Sequence, residues 1–327
     1  MSQSTSVGNA SENRWASYFC LALAMTLTGV YVSVCKPLGA ALPVFLLAWL
    51  RFCMAAVAVL PWLRTATDTP PLSPKSRWLL FLQSFFGNFL FTICMVYGLR
   101  LTSAVSAGVI LACIPAAVAL FSRVFLREHV SLRIWVSIGL AAGGIALLSM
   151  AQVSGGNKAG DPASREEVWL GNFLVLMTVF CEAAYVVIGK KLTEDISPKR
   201  VAALINLWGL TLFTLPGLYE AIGFDFSLIT PRIWSLLVFY AMSASVICVW
   251  LWMTGLRHVP AAQSGVFTVL FPVGTVLSGI LFLDERLSGL HLAAFALATT
   301  GLLLATTRSV RFFRADDQRG RAKSGVM

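Results

Sequence analysis

Charge is scarce in this chain of 327 residues: Asp, Glu, Lys and Arg together make up 12% of it. An ordinary soluble domain carries about 25%, so a water-facing surface of normal composition is excluded. Histidine is scarcer still. The three, His129, His258 and His291, fall at the ends of apolar stretches, without the spacing of a metal site or a Ser-His-Asp constellation. No Walker-type glycine-rich loop is present, and the Gly-Gly pairs at 143–144 and 155–156 lack the strand-and-helix context of a nucleotide fold. Enzymatic chemistry, a bound metal and a cofactor are therefore not expected. The seven cysteines show neither metal spacing nor a disulfide framework, and read as small apolar packing residues.

Long apolar runs fill the space that charge leaves. The chain is 57% hydrophobic, with a mean hydropathy of +0.79. Ten stretches of membrane-spanning length can be read, at 15–34, 43–63, 78–99, 104–121, 134–150, 171–190, 201–218, 233–256, 261–283 and 290–307. The first has only Arg14 ahead of it and is long for a signal-peptide core, so it reads as a retained helix.

The net charge of +10 would point to nucleic acid if it were spread evenly. With ten crossings it is not: 18 of the 25 Lys and Arg residues fall on one side, six on the other, and Arg51 lies within a span. This positive-inside asymmetry places both termini in the cytoplasm of an inner, bacterial-type membrane. The basic tail at 308–327 is expected to meet anionic membrane lipid rather than nucleic acid.

Residues 98–147 recur without a gap at 255–304, a shift of 157, with 16 of 50 positions identical, among them Pro115/Pro272, Glu128/Glu285, Ser131/Ser288 and Gly144/Gly301. A fainter match at a shift of 154 pairs Trp15 with Trp169, Tyr31 with Tyr185 and Lys36 with Lys190. The chain thus divides into a disordered N-terminus at 1–13, a first five-helix unit at 14–150, a polar linker at 151–165, a second unit at 166–307 and the tail. Five is odd, so the second unit enters the membrane from the opposite side. Inverted repeats of this kind place a substrate site near the membrane midplane, where the halves meet.

The repeated segments ACIPAAVALFSRVFLREHVS and LFPVGTVLSGILFLDERLS, with AWLRFCMAAVAVL on the second span, resemble the drug/metabolite transporter superfamily, specifically its EamA-type members. The resemblance covers about residues 15–307. It implies an all-α integral membrane transporter of ten helices in two inverted repeats, and exporters of amino acids or other small metabolites among several activities. It also implies a structural role for an arginine in the position of Arg51. One departure stands out: Arg127-Glu128-His129 occupies the place of Asp284-Glu285-Arg286, so the Glu-Arg pairing is broken at His129.

Several residues are candidates for the pathway. Glu182 lies midway along span six, where a charge costs roughly 2.5–3.5 kcal/mol on insertion scales. Helical spacing aligns it with Thr178, Tyr185 and Gly189, and the equivalent stripe on span one is Ala24, Thr28, Tyr31 and Cys35. Glu182 would bind a substrate ammonium or carry the coupling proton; the bland alternative is a neutral side chain bonded to a neighbouring helix. Arg51 would hold a substrate carboxylate, or pair with Glu182 as a structural counter-ion. Asn88 on span three and Ser245 on span eight are cavity partners or polar glue between helices. Trp252, with Trp208, Trp250, Tyr31 and Tyr185, would wall an apolar part of the substrate, whereas Trp15, Trp78, Trp169 and Trp234 sit at span ends as interfacial anchors. Gln263 stands at a helix start near the expected mouth. Pro115 and Pro272 are read as kinks inside spans four and nine. An amino acid or amino-acid-derived zwitterion, exported with proton coupling, is the expected cargo. Uptake of a nucleoside-like compound or vitamin, or a non-transporting scaffold, are the alternatives. A homodimer is left open, because no span carries a clean GxxxG face.

Overall fold

The structure, a computed structural model, describes residues 4–64, 72–101, 110–111, 113–154, 165–271, 274 and 289–306. Among them there is no strand, and helix follows helix with short connections. The order is α1 (Ser4–Ala41), α2 (Val44–Arg64), α3 (Pro74–Ser84), α4 (Phe91–Leu101), α5 (Ile114–Phe121), α6 (Leu132–Ser154), α7 (Arg165–Asp195), α8 (Pro198–Ile222), α9 (Pro231–Tyr240), α10 (Cys248–His258), α11 (Ala261–Val266) and α12 (Gly289–Thr306). Wider π turns at Phe85–Leu90 and Ala241–Ile247 join α3 to α4 and α9 to α10, and a third, Ser122–Leu126, follows α5.

The helix starts follow from local chemistry. Ser73, Ser197 and Thr230 each precede a proline that opens a helix, and proline fits the first turn because its missing N–H would have no partner there. Ser73 accepts from the Ser76 N–H at 3.1 Å, and Thr230 from Ile233 N–H at 3.4 Å. Two stops are equally local: Gly223 ends α8, and Val259, extended, ends α10 ahead of Pro260.

Among the described residues, five helical stretches are long and apolar enough to cross a membrane: Val44–Leu63, Pro74–Gly98, Trp169–Asp195, Pro198–Ile222 and Pro231–His258. Shorter apolar helices occur at Trp15–Tyr31, Ile114–Leu126 and Leu132–Gly144. Their outward faces carry exposed Val57, Leu120, Leu215 and Ile222, a surface suited to lipid. Trp15, Trp78 and Trp169 are exposed at or near the starts of apolar stretches, where interfacial anchors belong, whereas Trp234 is half-buried. Two expectations shift in position. Helix α1 begins at Ser4, so residues 4–13 continue it rather than forming a tail, and Pro115 stands in the first turn of α5, after a break at Cys113, rather than inside an unbroken helix. Pro272, residues 155–164 of the linker and the 308–327 tail lie outside the described residues.

The principal packing pairs join the two sequence halves: α1 with α10, α4 with α7, α2 with α8, α5 with α11, and α6 with α12. Close approach depends on small residues. A Cβ on Gly98 would stand 2.9 Å from Val175, and one on Gly255 2.5 Å from Leu21. Those two contacts are repeats of one another, since Gly98 maps to Gly255 at a shift of 157 and Leu21 to Val175 at 154. The largest core cluster runs through this interface and includes Leu21, Val118, Val186, Trp252 and Met253.

Candidate functional site

The two π turns stand at equivalent places. Phe85–Leu90 maps at the 157 shift onto Met242–Ile247, within Ala241–Ile247, and it places Asn88 opposite Ser245 in the repeat. A π turn widens the helix and loosens its regular ladder, and such turns frequently mark functional sites. Side chains support both. In the first, Asn88 Nδ2 donates to Ser84 Oγ at 3.1 Å, and Ser84 Oγ donates to the Ile205 carbonyl on α8 at 3.0 Å. In the second, Asn206 Nδ2 donates to the Ser245 carbonyl at 2.7 Å and to Ala202 O at 2.8 Å. The Ser245 hydroxyl is buried without a partner among the described residues, so the serine meets α8 through its backbone.

The stripe on α7 faces the first of these turns. Tyr185 packs tightly against Gly87: a Cβ there would meet its ring carbon at 2.1 Å. Gly189 passes Gln83, Leu256 and Met253, and Gln83 Nε2 donates to the Tyr185 carbonyl at 3.4 Å. Thr178 is buried and bonds back to Leu174 O at 3.1 Å, so its hydroxyl proton is committed to its own helix. Glu182, between Thr178 and Tyr185 on this stripe, is half-buried. Its carboxylate makes no hydrogen bond or ion pair with a described residue.

The matching stripe on α1 faces the second turn. Thr28 Oγ1 donates to Ala24 O at 2.8 Å, Cys248 Sγ approaches the same carbonyl at 3.5 Å, and the Tyr31 ring packs on Tyr240 at 5.6 Å between centroids. Arg51 joins this cluster and not Glu182. Its Nη1 donates to the Tyr240 hydroxyl at 3.1 Å, and its guanidinium lies 4.3 Å from the Phe52 ring centroid and 5.3 Å from that of Tyr240. Arginine over aromatic faces is a favourable pairing, although Arg51 Nε is buried with no hydrogen-bond partner among the described residues.

Two further candidates sit elsewhere than the sequence indicated. Gln263 is buried, donating to Tyr18 Oη at 2.9 Å and to Ala305 O at 2.7 Å, so it ties α11 to α1 and α12 instead of lining a mouth. Trp252 is 2% exposed inside the main cluster, its Nε1–H without a partner among the described residues. Trp208 and Trp250 pack at the edge of that cluster.

One residue pair had not been singled out for the site, although both members had surfaced in the repeat. Arg127, left-handed at φ 56°, ends the turn after α5 and directs Glu128 back over it. The Glu128 carboxylate then accepts from Ala261 N–H at 3.0 Å and Ala262 N–H at 3.2 Å, and from the Ser122 hydroxyl. Across the same connection, Lys190 Nζ donates to the Leu256 and Arg257 carbonyls, each at 3.0 Å. A carboxylate thus covers the start of α11 while an ammonium covers the end of α10, each matching the sign of the helix dipole. The glutamate is held by amides and a hydroxyl, which is how His129 can stand where the other repeat has Arg286. The recurrence of Glu128/Glu285 and Lys36/Lys190 was the available signal.

Comparison with known proteins agrees with this architecture. The model of the EamA-like transporter family matches residues 15–150 and 169–307. The uncharacterized transporter YetK of Bacillus subtilis (strain 168) is 31% identical over 298 residues, which cover 91% of this chain and 88% of that protein. An uncharacterized transporter of Archaeoglobus fulgidus is 24% identical over 301 residues, covering 89% and 99% of the two chains. A protein solved by crystallography superposes with a TM-score of 0.73 at 18% identity, covering 92% of this chain and 99% of its own, a likeness of fold alone.

Proposed function

This chain belongs to the EamA-like transporter family, and from that premise we propose that it is a secondary exporter of an amino acid or amino-acid-derived zwitterion, driven by the proton gradient. The proposed architecture is ten crossings in two inverted five-helix halves, with both termini in the cytoplasm. Transport would proceed by rocking of the halves about the midplane, where inverted-repeat carriers hold their cargo.

The observation that carries this reading is Glu182. It is a half-buried carboxylate inside a membrane-crossing helix with no bonded partner among the described residues, and an intramembrane ionisable group of this kind is a functional site by default. Glu182 would receive the substrate ammonium or the coupling proton. Tyr185, set by Gly87, and Tyr31, set by Tyr240, would flank the cargo from the two halves. Asn88 and the unpartnered Ser245 hydroxyl would supply polar contacts from the two widened turns. Arg51, bound among aromatic rings, is given the structural role. The Glu128–Lys190 pair lies at the end carrying most Lys and Arg, and supports a state closed on the cytoplasmic side.

The test is release of labelled amino acids and metabolites from inside-loaded proteoliposomes, with and without a pH gradient. Gradient-dependent release of one compound, lost in a folded Glu182→Gln variant, is the expected outcome. Equal release from empty vesicles across the whole pool would sink the exporter reading and favour the scaffold. Gradient-driven accumulation of a nucleoside-like or vitamin compound would reverse the direction.

A further inference from the structure

A second site lies away from the midplane, where the start of α8 meets the end of α10. A cavity of about 300 Å³ is lined there by Ser197, Lys199, Trp250, Thr254, Arg257 and His258. No carboxylate lines it. Glu194 and Asp195 are exposed at the nearby end of α7, and Glu128 is engaged with the amides of α11. Neither Lys199 nor Arg257 forms an ion pair with a described residue, so two cations and an imidazole face one small space. Ser197, the N-cap of the 25-residue α8, makes no side-chain capping bond, and its hydroxyl is left for a ligand.

The depth of the cavity identifies the source of an anion. Pro198 is the first residue of one crossing helix and His258 the last of another, so the cavity sits at the level of lipid headgroups. Its wall is aromatic: Lys199 Nζ is 5.9 Å from the Trp250 ring centroid, and Trp62 of α2 packs beside Trp250 at 6.3 Å. Tryptophan at the membrane–water interface is placed to meet the glycerol region of a lipid. We infer that this cavity binds the phosphate of an anionic phospholipid, with Lys199, Arg257 and the Ser197 hydroxyl as its donors. A phosphate so held would staple the start of α8 to the end of α10, beside the connection that Lys190 and Glu128 already secure.

The experiment is native mass spectrometry of the full chain in detergent, titrated with phosphatidylglycerol, phosphatidylcholine or inorganic phosphate. One phosphatidylglycerol should be retained, and phosphatidylcholine should not. Lys199→Ala with Arg257→Ala should weaken retention about thirtyfold, from the loss of two basic residues at a membrane surface. Lys199→Arg, which keeps the charge, should retain the lipid, as should Arg232→Ala at the opposite membrane face; both also show whether the chain tolerates substitution. Equal retention of the two lipids, or no change in a double variant that melts like the parent, would overturn the site. Inorganic phosphate bound as tightly as phosphatidylglycerol would overturn the lipid source.

Discussion

Asn206 on α8 reaches the carbonyl of Ser245 on the neighbouring helix at 2.7 Å, and so holds open the widened turn between α9 and α10. A π turn costs regular backbone bonding, and an amide that satisfies the displaced carbonyl offsets that cost. Removing it with Asn206→Leu should destabilise the protein by about 0.6–1.7 kcal/mol, the range found for polar contacts between membrane helices. Thermal unfolding in detergent measures the change; an unaltered midpoint would show the turn to be stable without its brace.

Gly87 is the seat of Tyr185. A methyl group there would overlap a ring carbon at 2.1 Å, so either the tyrosine or the turn that carries residue 87 must shift. Gly87→Ala is expected to lower transport severely while helix content by circular dichroism stays at the parental value. Parental transport rates in Gly87→Ala would remove Tyr185 from the pathway.

Glu128 supplies one carboxylate to two amides and a hydroxyl. Glu128→Ala leaves those amides without a partner and should cost about 1 kcal/mol, in the range for loss of a helix cap. In a background with the native cysteines replaced, a cysteine at the fully buried Ser264 should be labelled faster by a water-soluble maleimide once Glu128 is gone. Unchanged labelling would mean that this end is closed by other contacts.

Arg51 is bonded to Tyr240 and stacked against Phe52. Arg51→Lys keeps the charge but loses the planar group, so it should destabilise by about 1 kcal/mol, the scale of an arginine–aromatic contact. Substrate affinity in binding assays should be unaltered. A large loss of affinity at constant stability would instead assign Arg51 to the substrate carboxylate.

Much of the fold was legible because the membrane imposes it. Apolar runs such as 44–63 and 198–222 must be helical, since lipid offers no partner for backbone amides. The repeat was legible because duplication leaves identical residues, and the contacts Gly98–Val175 and Gly255–Leu21 are that duplication in three dimensions. Partner choice was not legible. Gln263 and Thr178 looked like polar groups on a pathway, yet one is spent on Tyr18 and Ala305 and the other on its own helix. Glu128 stood out for a Glu-Arg pairing broken at His129, and its carboxylate accepts from the amides of Ala261 and Ala262.

By itself the sequence determined the class, the helical segments and the two-fold organisation, because hydrophobicity and periodicity act locally along the chain. Only the tertiary structure decided that Arg51 turns to Tyr240 while Glu182 bonds to no described residue, and that Lys190 and Glu128 hold the two sides of the connection between α10 and α11. A hydrogen bond depends on where distant helices place their side chains to within a few tenths of an ångström, and no local pattern encodes that.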